Sequence, residues 1–351
     1  MTTRLTQDFT SQPPVRIRAS LPDNLITLAL SGWLMVGIFV DGWAHNTFAT
    51  RLETFFTPWH AIFYSGFLAT ALWMLWLTVR GLRAGQRGWY AVPQGYELGI
   101  IGIPVFALGG MGDMIWHTVL GIEVGIEALL SPTHLLLFLG AEMLACAPFL
   151  AAWREPVGRR APLGTAWTAV LSLTVALCFA SFMHMYMWAV SIPPQGMGYE
   201  ATSRGLTAVL LTSAILFAPS LLLLRRFRPP AGAFTVMFTV NAALMVVLTT
   251  RLGELAPVLL GLVTGLCADA LAWRLRPEPL RPLAFRLFAA LTPLAMWTLF
   301  FLGLARMGEL SLSLELWAGV SVMTALGGLG LSCLALPPAL PLEAQTASST
   351  D

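Results

Sequence analysis

An all-α integral membrane protein of about ten transmembrane helices, with both termini cytoplasmic, is the fold class that three observations predict. The mean hydropathy is +0.74, and 57% of the residues are hydrophobic. Only 11% carry charge, less than half the share usual in soluble domains. Apolar runs of about 20 residues, the length that crosses ~30 Å of hydrocarbon, recur along the whole chain.

Residues 1–23 are polar and lack the apolar core of a signal peptide, so they read as a cytoplasmic tail, and the first helix serves as the insertion signal. Runs from Asn24 to Trp43 and from Pro58 to Val79 make a first helical hairpin; Tyr96 to His117 and Pro132 to Trp153 make a second. Ala166 to Val190 and Leu206 to Leu224 complete a six-helix half, residues 24–228. The Arg/Pro stretch at 225–230 marks the boundary to a four-helix supporting half, residues 229–338. Its runs are Ala231 to Thr250, Ala256 to Trp273, Ala284 to Ala305 and Leu316 to Leu336. Residues 339–351, rich in Pro, Ser and Thr, are expected to be a disordered tail.

All 20 basic residues are arginine. Lysine Schiff-base chemistry is therefore excluded, and with it a retinal opsin or a pyridoxal enzyme. Sixteen arginines fall in the N-terminal tail or in the even-numbered connections; Arg51, Arg204, Arg251 and Arg306 fall on the other side. By the positive-inside rule, both termini and the arginine-rich connections are cytoplasmic in a multi-pass cell-membrane protein. The net charge of +2 gives no reason to expect a nucleic-acid partner. Cys146, Cys178, Cys267 and Cys333 each lie in an apolar run without C-x-x-C spacing and read as buried small residues.

Four of the five histidines belong to one duplicated pattern: Asp41, His45, Glu53, Thr57, Pro58, His60, then Asp113, His117, Glu127, Ser131, Pro132, His134. Each copy reads D-x3-H, a loop, then E-x3-[ST]-P-x-H. A charge at the centre of an inserted helix costs about 2.5–3.5 kcal/mol, so repeated polar groups at helix ends point to a site. Asp and His four residues apart share one helix face. Thr57 and Ser131 fit N-caps, Pro58 and Pro132 the first helical position, and His60 and His134 the third. The helix dipole disfavours protonation there, which suits a neutral imidazole ligand. Parallel hairpin repeats are related by an axis along the membrane normal, which brings the two outer motifs face to face.

His184 lies among Met183, Met185 and Met187, a soft setting that suits copper. The predicted ligand set is thus Asp41, His45, Glu53, His60, Asp113, His117, Glu127, His134 and His184, at the extracytoplasmic face. Copper is the favoured ion, with zinc or iron as alternatives. Glu142 and Asp269, placed inside apolar runs, either relay protons or are hydrogen-bonded in place. In the C-terminal half, Arg251, Gly253 and Glu254 recur as Arg306, Gly308 and Glu309, a glycine turn with a local Arg/Glu pair.

D-x3-H followed by a further His resembles the metal site of the membrane subunit of copper membrane monooxygenases. The matching positions are Asp41, His45 and His60, and again Asp113, His117 and His134. The resemblance implies a copper-dependent, O2-using oxidation of a small or lipophilic substrate, served by an electron donor or a partner membrane subunit. Three other readings share the same residues: a metal-ion or proton transporter, a b-type haem protein with bis-imidazole ligation, and a zinc-dependent membrane hydrolase.

Overall fold

The computed structural model describes residues 16–48, 55–121, 125–191, 198–250 and 252–338. Among these residues there is no strand, and ten helices occupy the ten apolar runs. In chain order they are α1 (Leu21–Phe48), α2 (Pro58–Arg83), α3 (Glu97–Leu120), α4 (Pro132–Arg154), α5 (Leu163–Met183), α6 (Tyr199–Arg226), α7 (Ala233–Leu248), α8 (Ala256–Leu275), α9 (Pro282–Met307) and α10 (Leu314–Ala335). Nine of them are long and apolar enough to cross a membrane. The tenth, α7, has 16 residues, or about 24 Å. Pro229, Pro230 and the left-handed Gly232 delay its start. Leucines such as Leu72, Leu108 and Leu326 stand exposed on the outer faces, as expected of a multi-pass membrane protein.

Helix α5 sits in the middle, packed against α1, α4, α6 and α7, and carries no charged residue. Around it the chain pairs α1 with α2, α3 with α4, α7 with α8, and α9 with α10. Two pairs close through glycines. A Cβ on Gly37 would lie 2.6 Å from Phe63 Cα, and one on Gly66 2.6 Å from Leu34 N. In the second pair, a Cβ on Gly109 would meet Leu137 N at 2.7 Å, and one on Gly140 would meet Phe106 N at 2.6 Å. These glycines stand four residues before Asp41 and Asp113 and six after His60 and His134. Small residues let backbones approach in this way where lipid provides no hydrophobic drive.

Two helices depart from their expected course. Within α4 the helix is interrupted at Cys146, between Pro132–Ala145 and Ala147–Arg154. Pro148 has no N–H to donate, and the Ser172 hydroxyl of α5 enters the gap, donating to Ala145 O at 2.5 Å and accepting from Phe149 N at 3.0 Å. A side chain inserted into the backbone ladder is a known cause of such breaks. Helix α5, expected to run to Val190, ends at Met183 and is followed by a 3-10 turn, Met185–Met187. The chain then turns back into the bundle, where Ala189 N donates to Thr212 Oγ1 at 3.1 Å.

The arginine-bearing ends are tied by ion pairs. Arg80 grips Asp23 with both guanidinium nitrogens, at 3.0 and 2.5 Å, and Arg154 donates to both Glu97 oxygens at 2.7 and 2.8 Å, with Arg16 also on Glu97. Asp269 is a helix cap: it accepts from Phe234 N, Thr235 N and Thr235 Oγ1 at the start of α7. Gly308, with φ 75, closes α9 in the left-handed C-cap expected of its turn; Arg251, in the matching turn, lies outside the described residues.

Candidate metal centre

Twenty residues separate Leu21 from Asp41 along α1, a rise of about 30 Å, so the paired motifs sit at the end of the bundle opposite the arginines. Asp41 and His45 end α1, and Asp113 and His117 end α3; at four-residue spacing each pair presents both side chains to one face. The caps of α2 and α4 form as the sequence predicts. Thr57 Oγ1 accepts from His60 N at 3.1 Å, Ser131 Oγ accepts from His134 N at 3.4 Å, and a proline opens each helix.

The histidines fall into two groups with the aspartates. In one, Asp41 lies 3.7 Å from His45 Nε2 and 3.6 Å from His60 Nε2. In the other, Asp113 Oδ1 lies 3.2 Å from both His117 Nε2 and His134 Nε2. Within each group the three ligand atoms lie within 4.8 Å of one another. Ligands bonded to a tetrahedral ion at 2.0–2.2 Å are separated by about 3.3–3.6 Å, so these spacings suit a shared cation. Asp41 Oδ1 is buried and accepts no hydrogen bond among the described residues, and Asp113 Oδ1 is buried against the two imidazole nitrogens of its group. A buried acceptor without a donor is costly, and a cation between carboxylate and imidazole would satisfy it.

The second ring nitrogens of His60 and His134 are anchored. His60 Nδ1 faces Phe55 O at 2.5 Å and His134 Nδ1 faces Ser131 Oγ at 2.6 Å. An imidazole that donates Nδ1–H to such a partner presents the bare Nε2 lone pair to a metal. The two groups also meet. Ring centroids run 5.6 Å from His45 to His60, 6.2 Å from His60 to His117, and 5.7 Å from His117 to His134, an unbroken row of four imidazoles.

A cavity of about 70 Å3 lies against the row, lined by Asp41, His60, Asp113 and His134 and walled by Ile38, Phe63, Leu129, Leu137, Phe138, Phe179, Phe182 and Met183. At roughly 30 Å3 per water, it has room for about two waters.

Of the remaining predicted ligands, Glu127 is exposed at the start of the short helix Glu127–Leu130 and belongs to neither group. His184 caps α5, holds its Nδ1 2.7 Å from Ala180 O, stacks on Tyr186 and also stands outside both groups. Glu53 lies outside the described residues.

Sequence reasoning missed two contributors. Tyr64 donates to Asp113 Oδ2 at 3.4 Å across the hairpins. Its place one turn after His60 was the available signal, and Gly110 leaves space for the ring, since a Cβ there would come 2.8 Å from Tyr64 Cε1. Phe55 acts through its carbonyl, which no side-chain pattern reveals. Met183, one of the three methionines already singled out beside His184, reaches the cavity from α5. No family model, curated protein or solved structure matches the chain; what stands is a membrane-spanning helical protein with two His/Asp groups whose geometry could hold metal.

Proposed function

We propose that the chain is a membrane metalloprotein whose two His/Asp groups form one joint centre for a pair of ions, and that this centre serves a copper-dependent oxidation of a small or lipophilic substrate. The observation that carries this reading is the 6.2 Å approach of His60 and His117, one ring from each group. Imidazole suits copper, zinc, iron and nickel alike. Charge balance favours copper among them: two Cu(I) ions match the two carboxylates Asp41 and Asp113, whereas two Zn(II) ions would need further anions in a site where uncompensated charge is expensive. The Met183 thioether on the same cavity adds a soft donor of the kind Cu(I) prefers.

The chain's own residues have distinct tasks in this reading. His45, His60, His117 and His134 supply neutral nitrogen donors; Asp41 and Asp113 supply the charge. Phe55 O and Ser131 Oγ fix ring orientation. Tyr64 holds a phenolic proton at Asp113 Oδ2. The phenylalanines and leucines of the cavity wall leave little room for water and suit a small apolar molecule. Copper, when bound, supplies one-electron and O2 chemistry. By the distribution of arginines the centre faces the extracytoplasmic side, and an electron donor or partner subunit would meet it there. A bis-imidazole haem fits poorly, since cofactor pockets occupy about 300 Å3 or more and this cavity is about 70 Å3.

Elemental analysis and electron paramagnetic resonance of the protein purified in mild detergent test the proposal. Copper is expected at one ion per group, silent when reduced and visible when oxidised, and absent from a His45→Ala, His117→Ala double variant. Stoichiometric metal surviving in that variant overturns the ligand assignment. Redox-inert zinc in the native protein overturns the oxidation chemistry and leaves the site standing.

A further inference from the structure

At the opposite end of the bundle a cavity of about 540 Å3 opens between the α4–α5 connection, the α6–α7 connection and the end of α8. Five arginines line it, Arg159, Arg160, Arg228, Arg276 and Arg281, against two carboxylates, Asp269 and Glu278. Both carboxylates are engaged. Asp269 caps α7, and Glu278 pairs with Arg159 at 3.3 Å. Arg159 is itself part of the scaffold, donating to the carbonyls of Leu224, Arg225 and Phe227.

The guanidinium groups of Arg160, Arg228, Arg276 and Arg281 have no hydrogen-bond, ion-pair or ring partner among the described residues. Three other arginines at this end are engaged, Arg80 on Asp23, Arg154 on Glu97 and Arg226 on the carbonyls of Trp153, Glu155 and Val157, and what sets the four apart is that they line one cavity. Four like charges, all exposed, line one cavity and form a positive patch that attracts an anion. The planar guanidinium fork matches phosphate oxygens in pairs.

The rim shows where that phosphate comes from. Trp273, which lines the cavity, is 72% exposed, and Leu280 and Leu283, which flank the lining residue Arg281 in sequence, are 89% and 71% exposed. Tryptophan at the head-group level and bare leucines are the features of a membrane interface, and basic pockets between helices at that level bind anionic head groups. We propose that this cavity is a binding site for the phosphate head group of an anionic phospholipid, held by Arg160, Arg228, Arg276 and Arg281 with its acyl chains along Trp273, Leu280 and Leu283. The site is independent of the metal centre at the other end.

Native mass spectrometry of the full chain, released from detergent with short-chain phosphatidylglycerol, short-chain phosphatidylcholine or inorganic phosphate, tests this. Phosphatidylglycerol is expected to bind at least tenfold more tightly than phosphatidylcholine, and an Arg228→Gln, Arg276→Gln variant to lose about thirtyfold of that affinity. The Arg228→Lys, Arg276→Lys variant keeps the charge and is expected to retain most of the preference for the anionic lipid, which separates loss of the site from loss of the fold. Equal binding of the two lipids overturns the proposal. Inorganic phosphate displacing phosphatidylglycerol at comparable concentration also overturns it, by assigning the arginines to a soluble phosphate.

Discussion

The imidazoles of His60 and His117 lie 6.2 Å apart, centroid to centroid, although they belong to different hairpins and are separated in sequence by most of α2 and α3. Through this contact two local Asp/His patterns become one row of donors. Asp113 Oδ1 faces both His117 and His134 at 3.2 Å, the tighter of the two groups. Asp113→Ala is therefore expected to empty its own group and, by removing the neighbouring ion, to abolish magnetic coupling between the pair while Asp41, His45 and His60 retain metal. Elemental analysis with electron paramagnetic resonance reads both; full metal content in this variant contradicts the assignment.

The two caps make an internal control. Ser131 Oγ both caps α4 and anchors His134 Nδ1, whereas Thr57 only caps α2, because His60 Nδ1 is held by the Phe55 carbonyl. Each alanine substitution is expected to cost about 1 kcal/mol of stability from the lost cap. Ser131→Ala alone is expected to weaken metal binding, by about 10–100-fold. Metal titration with a competing chelator separates the two, and an equal effect on affinity speaks against the anchoring role.

Gly66 meets the backbone of Leu34, so Gly66→Ala must push α1 and α2 apart. The expected cost is about 1–3 kcal/mol, seen as a fall of several degrees in the apparent Tm in detergent. Gly32→Ala, with nothing within 4 Å of its Cβ, is expected to leave the Tm unchanged. A similar response from both variants would show that close approach is not what Gly66 provides.

Arg80→Ala strands the buried Asp23 carboxylate at the start of α1. Removing one partner of a fully buried pair costs about 3–5 kcal/mol; with Arg80 half-exposed, about 1–3 kcal/mol is expected. Asp23→Asn combined with Arg80→Ala should recover part of that loss in a thermal unfolding assay, and a double variant less stable than the single one refutes the pairing.

The ten helices and the two ligand patterns were legible because each is local: about 20 apolar residues, an Asp four residues before a His, a Thr-Pro or Ser-Pro at a helix start. Tyr64 on Asp113, the Phe55 carbonyl on His60 and Asp269 on the first amides of α7 were not, since each joins elements whose mutual placement periodicity does not encode. The end of α5 at Met183 was hidden for a related reason. Residues 184–190 are apolar enough to continue a helix, and the contact with Thr212 that turns them back belongs to α6. His184 and Glu127 carried the right chemistry but lacked the second local partner that Asp41 gives His45.

The Ser172 hydroxyl standing between Ala145 O and Phe149 N has a consequence for biosynthesis. Until that hydroxyl arrives, α4 would expose a bare amide and a bare carbonyl to lipid, each costing several kcal/mol. Partition of α4 out of the translocon is therefore expected to wait for the next helix to emerge from the ribosome, with the two entering the bilayer together. Glycosylation mapping of nascent chains truncated before and after residue 183 reads the order, and efficient release of α4 from the shorter chains would show that it crosses alone.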